Sequence, residues 1–310
     1  HNSGPVGHWL HVLKSKNPVQ LMIGVKPKIL NRGFLATLIN LRESPVGLIG
    51  AAIVLFWVVM AVFAPLIAPY DPLAIQTPFA KPGTAAPDGG LFLLGTDQKG
   101  RDVLSRIIWG SRTVLIYAPL ATFCAYIVGI AMGLAAGYRR GWVDIFLSRM
   151  GDIILSFPVL ILYIIAIQQF GRSNLNIVIA IIFASAPGIM RIVRGLTLEI
   201  REREYIAAAQ VRGEPNWWVM IVEILPNARG PLIVDSCLRV GYVIITIGIL
   251  GFLGLGLPPP DPEWGGMINQ GRQVALMFPH MTLFPAIALS TLVLGFNLMA
   301  DGLRETSLKD

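Results

Sequence analysis

The sequence predicts an all-α membrane protein with six transmembrane helices and both termini in the cytoplasm. Of its 310 residues, 54% are hydrophobic and only 14% are charged, whereas soluble domains carry about 25% charged residues. Six apolar runs are about as long as the roughly 20 residues that a spanning helix needs. Most of the 25 lysines and arginines lie in segments that this topology places in the cytoplasm, in agreement with the positive-inside rule.

The predicted spans are separated by polar or Pro- and Gly-rich segments. The second span contains glycines 129, 133 and 137 at four-residue intervals, which predicts close packing against a neighbouring helix. Pro158 lies inside the third span and favours a static kink over a flexible joint. The six spans are residues 45–68, 113–137, 152–170, 176–192, 231–257 and 281–300.

The segments outside the spans complete the predicted organisation. Residues 1–44 form a polar, basic tail, which is interpreted either as lying on the membrane surface or as disordered. Residues 69–112 form an extracytoplasmic loop that ends in an amphipathic helix, because apolar residues recur there at helical spacing. Residues 195–228 form a cytoplasmic loop, and residues 304–310 a short polar tail.

The composition excludes several classes of function. The net charge is +7, but the basic residues alternate with apolar segments and do not form the continuous basic face of a nucleic-acid-binding protein. The two cysteines lie in apolar segments, and the four histidines are scattered, so no metal site is expected. The sequence contains no catalytic triad pattern and no Gly-rich phosphate loop. We therefore expect a non-catalytic chain without a cofactor of its own.

The most informative segment is residues 205–227, which is polar although apolar runs flank it on both sides. Gly213 predicts the end of a short helix, because glycine adopts the left-handed conformation without steric cost. Pro215 predicts the start of a second helix, where its missing N–H has no consequence. Pro226 should end that helix or bend its junction with the next span. The pattern is a helix, a sharp turn and a helix.

This segment resembles the cytoplasmic EAA loop of binding-protein-dependent ABC importer permeases, a pattern of Glu-Ala-Ala, three residues, Gly, nine residues and Ile-x-Leu-Pro. Ala207 replaces the glutamate of the pattern and Glu223 replaces its isoleucine, while the helix–turn–helix pattern is retained. An ordinary loop between two spans is the alternative. The residues that match in spacing are Ala208, Ala209, Gly213, Leu225 and Pro226.

Two further segments strengthen the resemblance. Residues 94–106 read Leu-Gly-Thr-Asp-Gln-Lys-Gly-Arg-Asp-Val-Leu-Ser-Arg, which closely resembles a signature of dipeptide, oligopeptide and nickel permeases. Residues 258–266, predicted to be a stiff polyproline-like loop, are similar to the Pro-x-Pro-Glu-Trp-Gly loop of the same family. The three motifs extend the resemblance over nearly the whole of residues 45–303, and it is to the second, C-type permease of such importers.

The resemblance implies a type I ABC importer permease fold in a prokaryotic inner or plasma membrane. It further implies a heterodimer with a homologous permease, two ATP-binding subunits that hold ATP and Mg²⁺, and an extracytoplasmic peptide-binding protein. Coupling to the ATPase is assigned by the resemblance to Tyr205, Ala208, Ala209, Gly213, Glu214, Leu225, Pro226 and Asn227.

Peptides are the substrate class that the resemblance favours, while opines, nickel complexes and glutathione use the same type of permease. An ion-coupled carrier or membrane-embedded enzyme that acts alone is the alternative from another class. A carrier of that kind should contain an inverted repeat, and none is visible in the sequence.

The fifth span contains one ionisable pair, Asp235 and Arg239. Charged side chains in a span are rare and usually face a bundle interior or a water-filled cavity. Four-residue spacing allows the two to neutralise each other on one helix face. The pair either lines the translocation pathway or forms a structural ion pair that steadies the neighbouring loop, and the structural interpretation is slightly favoured.

Overall fold

The structure, a computed structural model, describes residues 44–258 and 260–309. The two interpretations of residues 1–44 therefore concern a segment that, apart from Ser44, lies outside the described residues. The helices are α1 Pro45–Val62, α2 Ala64–Ile67, α3 Val103–Arg139, α4 Gly141–Ser156, α5 Val159–Phe170, α6 Asn174–Arg201, α7 Glu204–Val211, α8 Asn216–Trp218, a π-helix Val219–Ile224, α9 Leu225–Phe252, α10 Trp264–Arg272 and α11 His280–Lys309. The strands are β1 Thr84–Ala85 and β2 Leu91–Phe92.

Within the described residues, five helical segments are long and apolar enough to cross a membrane. Helices α4 and α5 together also meet that criterion, but they are bent by 90° at the break between Ser156 and Val159. The predicted third span is therefore not one kinked helix. Pro158 precedes the first residue of α5, where proline has no i−4 carbonyl to clash with. Counting the bent pair as one span gives six.

Close packing of α3 against α6 confirms the prediction made from the regularly spaced glycines. A Cβ atom added to Gly133 would lie 2.5 Å from Cβ of Val193 and 2.8 Å from the Met190 carbonyl oxygen. Added Cβ atoms at Gly129 and Gly137 would lie 2.6 Å from Cβ of Ile189 and 2.7 Å from that of Thr197. The two helix backbones can approach this closely because the three positions have no side chain.

The described chain ends meet at one end of the bundle. The Ser44 hydroxyl donates to Oε2 of Glu305 at 2.8 Å, which joins the start of α1 to the last part of α11. At the other end, Trp57 of α1 stacks edge-on against Trp264 of α10, and the Trp264 indole donates to the Ile107 carbonyl oxygen at 3.0 Å. We call this second end the loop end, because the segment between α2 and α3 lies there.

Helix α3 differs from the sequence prediction. The expected amphipathic helix of residues 103–112 continues without a break into the next span. Its first turns are buried against this chain and include Val103, Ile107 and Ile108. Asp102 caps the helix, accepting a hydrogen bond from the Ser105 N–H at 2.7 Å. Residues 111–118 contain no glycine or proline, so the helix has no local reason to end between residues 112 and 113.

Helix α10 was not predicted, since residues 258–266 were expected to form a polyproline-like loop. Glu263 caps this helix: its Oε1 and Oε2 atoms accept hydrogen bonds from the N–H groups of Gly265 and Gly266, both at 2.8 Å. The carboxyl group lies against Gly251 of α9, where a Cβ atom would approach it to 2.1 Å. Burial raises the pKa of Glu263 to about 7, although the two N–H groups lower it.

The raised pKa of Glu263 predicts that the folded protein loses stability as the pH rises from about 4.5 to about 7. The protonated carboxyl is favoured in the folded chain, so the folded state binds more protons than the unfolded state in that range. The full loss is on the order of 3 kcal/mol. Thermal unfolding midpoints at pH 5 and pH 8 should therefore differ less in Glu263→Gln than in the unaltered protein. The exposed Asp261 of the same loop provides the control. If Asp261→Asn reduced the difference between the two unfolding midpoints as much as Glu263→Gln does, this assignment would be contradicted.

Candidate functional site

Helix α7 has one face packed on the bundle and one face exposed. Ile206 and Ala209 are completely buried, in a cluster with Val193 of α6 and Val219 of the π-helix. Between them, Ala208 is exposed. Two neighbouring alanines therefore have opposite environments, and the buried one fixes the helix to the membrane bundle.

The exposed face of this segment presents several apolar side chains. Tyr205 is 41% exposed, Val211 88% and Trp217 60%. Exposed apolar side chains concentrated in one segment are typical of a protein-binding surface. We call residues 204–227 the coupling segment, and the surface around Ala208 its exposed face.

The turn of the coupling segment has the predicted geometry. Helix α7 ends at Val211, and Gly213 has φ 79°, which favours glycine. The Glu214 N–H donates to the Ala209 carbonyl oxygen at 3.2 Å and closes the turn. Across the turn, Arg212 lies 3.8 Å from Oε1 of Glu214 and 3.9 Å from Oε1 of Glu223. The helix–turn–helix prediction is confirmed at this position.

The junction after the turn differs in detail from the prediction. The second helix does not end at Pro226: residues 219–224 form a π-helix that continues directly into α9, and Pro226 lies in the first turn of α9. Leu225 is half-buried, and Pro226 and Asn227 are exposed. The Asn227 side chain donates to the Glu223 carbonyl oxygen at 2.6 Å. Motion of the coupling segment would therefore be transmitted to α9 without an intervening loop.

Tyr138 at the end of α3 also contacts the coupling segment. The sequence did not predict this contact. The tyrosine hydroxyl accepts a hydrogen bond from Gln210 Nε2 at 3.2 Å and donates to Oδ1 of Asn216 at 3.3 Å. Its carbonyl oxygen accepts from Arg201 Nη1 at 2.6 Å. The partners lie more than 60 residues apart in sequence, so no local pattern indicates this contact.

The predicted pair inside the fifth span is present. Nε of Arg239 donates to Oδ2 of Asp235 at 2.7 Å, and both side chains are about four-fifths buried. Tyr126 of α3 also donates to Oδ2 of Asp235. The tyrosine was not predicted, because it lies on a distant helix. The cluster joins α3 to α9 through one carboxylate.

Arg239 also borders a cavity of about 350 Å³ between α3, α5, α6 and α9, together with Tyr163, Ser185 and Thr246. The guanidinium lies near Gly188 of α6. The same arginine is therefore both ion-paired and in contact with an internal space, which is compatible with either interpretation of the pair.

A double-mutant cycle measures how much the ion pair between Asp235 and Arg239 contributes to stability. Arg239→Gln alone should lower the free energy of unfolding by about 3 kcal/mol, because it leaves Asp235 charged and largely buried. Asp235→Asn with Arg239→Gln should restore most of that loss. Thermal unfolding of the two single variants and the double variant measures the coupling. Additive losses would contradict a mutually stabilising pair, and unchanged uptake and affinity in the double variant would exclude a pathway role.

The described residues also bear on a possible metal site. Among them, no group of three or more His, Cys, Asp or Glu side chains is placed to hold a metal ion. The arrangement instead combines a helical membrane bundle with a polar segment that is anchored on one face and open on the other.

Comparison with known proteins identifies the family. Residues 129–306 match the family described as binding-protein-dependent transport system inner membrane component. Residues 36–87 match the N-terminal TM domain of oligopeptide transport permease C. The chain therefore belongs to the inner membrane permeases of binding-protein-dependent ABC importers, and it is a multi-pass inner membrane protein.

Individual relatives cover most of the chain. The dipeptide transport system permease protein DppC of Alkalihalophilus pseudofirmus is 37% identical over 266 residues, 86% of each chain. The glutathione transport system permease protein GsiD of Pectobacterium atrosepticum is 36% identical over 252 residues, 81% of this chain and 83% of the relative. A GsiD protein of Escherichia coli O6:K15:H31 is 35% identical over 264 residues, 85% of this chain and 86% of the relative. The resemblance inferred from the three motifs is confirmed.

Proposed function

We propose that this chain is a translocating subunit of an ATP-driven importer for dipeptides or oligopeptides, which reach it from an external binding protein. The observation that carries the proposal is the two-faced coupling segment. Its buried face, through Ile206 and Ala209, connects it to the bundle, and its exposed face around Ala208 is available to an ATPase.

The mechanism follows from the rigid connections of this segment. Closure of two ATPase subunits around ATP and Mg²⁺ would displace the coupling segment. The π-helix would carry that displacement into α9, and Tyr138 would carry it into α3. Nucleotide can bias the bundle between inward-open and outward-open arrangements only if the ATPase contacts differ between the two.

A second, related permease would complete the pathway. Several large apolar side chains stay exposed along the spans, among them Leu55 at 62%, Val62 at 63% and Phe123 at 65%. In a bilayer these surfaces face either lipid or a partner helix bundle. A heterodimer with a homologous permease, with the pathway between the two chains, accounts for the part of this surface that lipid does not cover.

Peptides are the proposed cargo, and glutathione is a second candidate. One relative that covers 86% of this chain is named a dipeptide permease, and another, at 36% identity, a glutathione permease. Both compounds are short peptides with free carboxylates. In such a system the external binding protein carries much of the selection, so the ligand found in that protein decides between the two.

Co-purification tests the assembly. A tagged chain extracted in mild detergent should retain two ATP-binding subunits and a second permease. An Ala208→Arg variant should lose the ATP-binding subunits and keep the permease. A fully active chain that purifies without companions would refute the proposal and favour a carrier that acts alone.

A further inference from the structure

A cavity of about 220 Å³ opens at the loop end of the bundle, far from the coupling segment. It lies between the start of α3, the segment that follows α9, and α10. Three arginines line it, which is an unusual concentration of positive charge for so small a space: Arg101, Arg106 and Arg172. Asp261 and Glu263 line it as well.

Arg106 is the unusual member of this group. It is 97% buried, with a relative exposure of 3%. Its Nε and Nη1 atoms have no hydrogen-bond partner among the described residues. The nearest carboxylate oxygen recorded for it, Oδ2 of Asp97, is 3.7 Å from Nε and already accepts a 2.8 Å hydrogen bond from Arg101. A buried guanidinium with unpaired donors is costly, and Arg106 lines the cavity, so an anion held there would offset part of that cost.

Among the described buried groups that line the cavity, Arg106 is the one with unpaired donors. Arg101 is held by Asp97 and by the Gln270 side-chain oxygen at 3.1 Å. Both oxygens of Glu263 are bonded to backbone N–H groups of α10. Arg172 and Asp261 are exposed at the rim, where Arg172 can reach a bound molecule from outside. The cavity therefore has a buried cationic base and a polar opening.

The size and charge of the cavity indicate its occupant. Pockets that enclose a whole small ligand measure about 300–1,000 Å³, so a 220 Å³ space fits one end of a molecule and is too small for a folded segment of another protein. A guanidinium at the base of such a space favours a carboxylate through charge and through single N–H hydrogen bonds.

We propose that the cavity at the loop end, with Arg106 as its base, is a subsite for the free carboxylate of the transported peptide. The proposal rests on the proposed function and on the predicted topology, in which residues 69–112 at the loop end are extracytoplasmic and face the side from which substrate arrives. Arg106 then holds the terminal carboxylate as the molecule leaves the binding protein. No residue assigned to nucleotide coupling takes part in this contact.

The test uses the complete permease assembly in lipid nanodiscs without its binding protein. The probes are Ala-Ala and Ala-Ala amide, whose binding is measured by saturation-transfer NMR. Ala-Ala should bind, acetate should compete with it, and the amide should bind about tenfold more weakly. Arg106→Gln should weaken Ala-Ala binding by about tenfold and leave amide binding unchanged, while Arg106→Lys should retain part of it.

One further variant controls for general charge, and another tests the site independently of Arg106. Lys99→Gln removes an exposed positive charge beside the same loop and should not change Ala-Ala binding. Arg172→Gln lies at the exposed rim, so it should fold even if Arg106→Gln does not, and it should weaken Ala-Ala binding selectively. Equal binding of acid and amide in the unaltered assembly would overturn the proposal.

Another source of carboxylate is distinguished by a second measurement. If a side chain of the binding protein occupies the cavity, Arg106→Gln weakens docking of that protein while Ala-Ala does not bind the nanodiscs, and the proposal fails. ATP-driven uptake that persists in either case would leave the proposed function intact, so the two failures are distinguishable.

Discussion

Replacing Ala208 with arginine should abolish ATP-driven uptake while the membrane bundle stays folded. Ala208 is exposed at the centre of the proposed docking face, and a long charged side chain there would prevent close contact with an ATPase. Loss of a central contact residue typically weakens an interface by 2 kcal/mol or more, about 30-fold in affinity. Thermal stability should change by less than about 0.5 kcal/mol.

The adjacent residue provides a matched contrast. Ala209 is completely buried, so Ala209→Arg would bury an unpaired charge and should destabilise the coupling segment by about 3 kcal/mol or more. Ala208→Ser should behave like the unaltered protein. Uptake, ATPase activity of the assembly and thermal unfolding are measured for all three variants. Full uptake in Ala208→Arg would contradict docking on this face.

Replacing Gly133 with leucine should strongly destabilise the helix bundle. A Cβ atom at this position already lies 2.5 Å from Cβ of Val193, and the Met190 carbonyl oxygen at 2.8 Å cannot move aside. Overpacking of this kind costs on the order of 3 kcal/mol, and leucine adds three further carbons. Size-exclusion chromatography after heating should show loss of the monodisperse protein at a much lower temperature.

Gly195 on α6 is the control for that substitution. A Cβ atom there would meet nothing within 4 Å. Gly195→Leu should therefore be neutral or slightly stabilising, since leucine favours a helix over glycine by nearly 1 kcal/mol. If Gly133→Leu were as stable as Gly195→Leu, the result would contradict the close packing of α3 against α6 at Gly133.

Local patterns predicted much of the helical organisation. The regularly spaced glycines predicted close packing of the second span against a neighbouring helix, although not that this helix is α6. Gly213 predicted the turn of the coupling segment. Both conclusions depend on the absence of a side chain. The four-residue spacing of Asp235 and Arg239 indicated their ion pair. Each of these features involves residues whose geometry is set by one helix or one turn.

Features that depend on tertiary contacts were missed or only partly predicted. Tyr126 reaches Asp235 from a helix 109 residues away in sequence, and no periodicity indicates such a contact. The amphipathic pattern at the start of α3 predicted a helix that rests at an interface or on another subunit, whereas Ile107 and Ile108 are buried within this chain. Arg106 looked like an ordinary polar position on that helix, because burial of its guanidinium depends on α10 and on the segment after α9.

The break between α4 and α5 has a similar explanation. Pro158 was visible in the sequence, but proline is compatible with a kink, a helix start or a full break. The 90° bend depends on how the two halves pack. Helix α4 is held to α6 through Asp144, whose Oδ2 accepts from Arg194 Nη2 at 2.7 Å. These two residues are 50 positions apart in the sequence, so no local pattern indicates their contact.

The most direct test of the account is uptake of a radiolabelled dipeptide into proteoliposomes that contain this chain, its partner permease and the binding protein. The account predicts accumulation only when the ATPase subunits and Mg-ATP are also present, and no accumulation when this chain carries Ala208→Arg. Driven accumulation by the membrane chains alone, with a proton or sodium gradient and no ATPase, would contradict it.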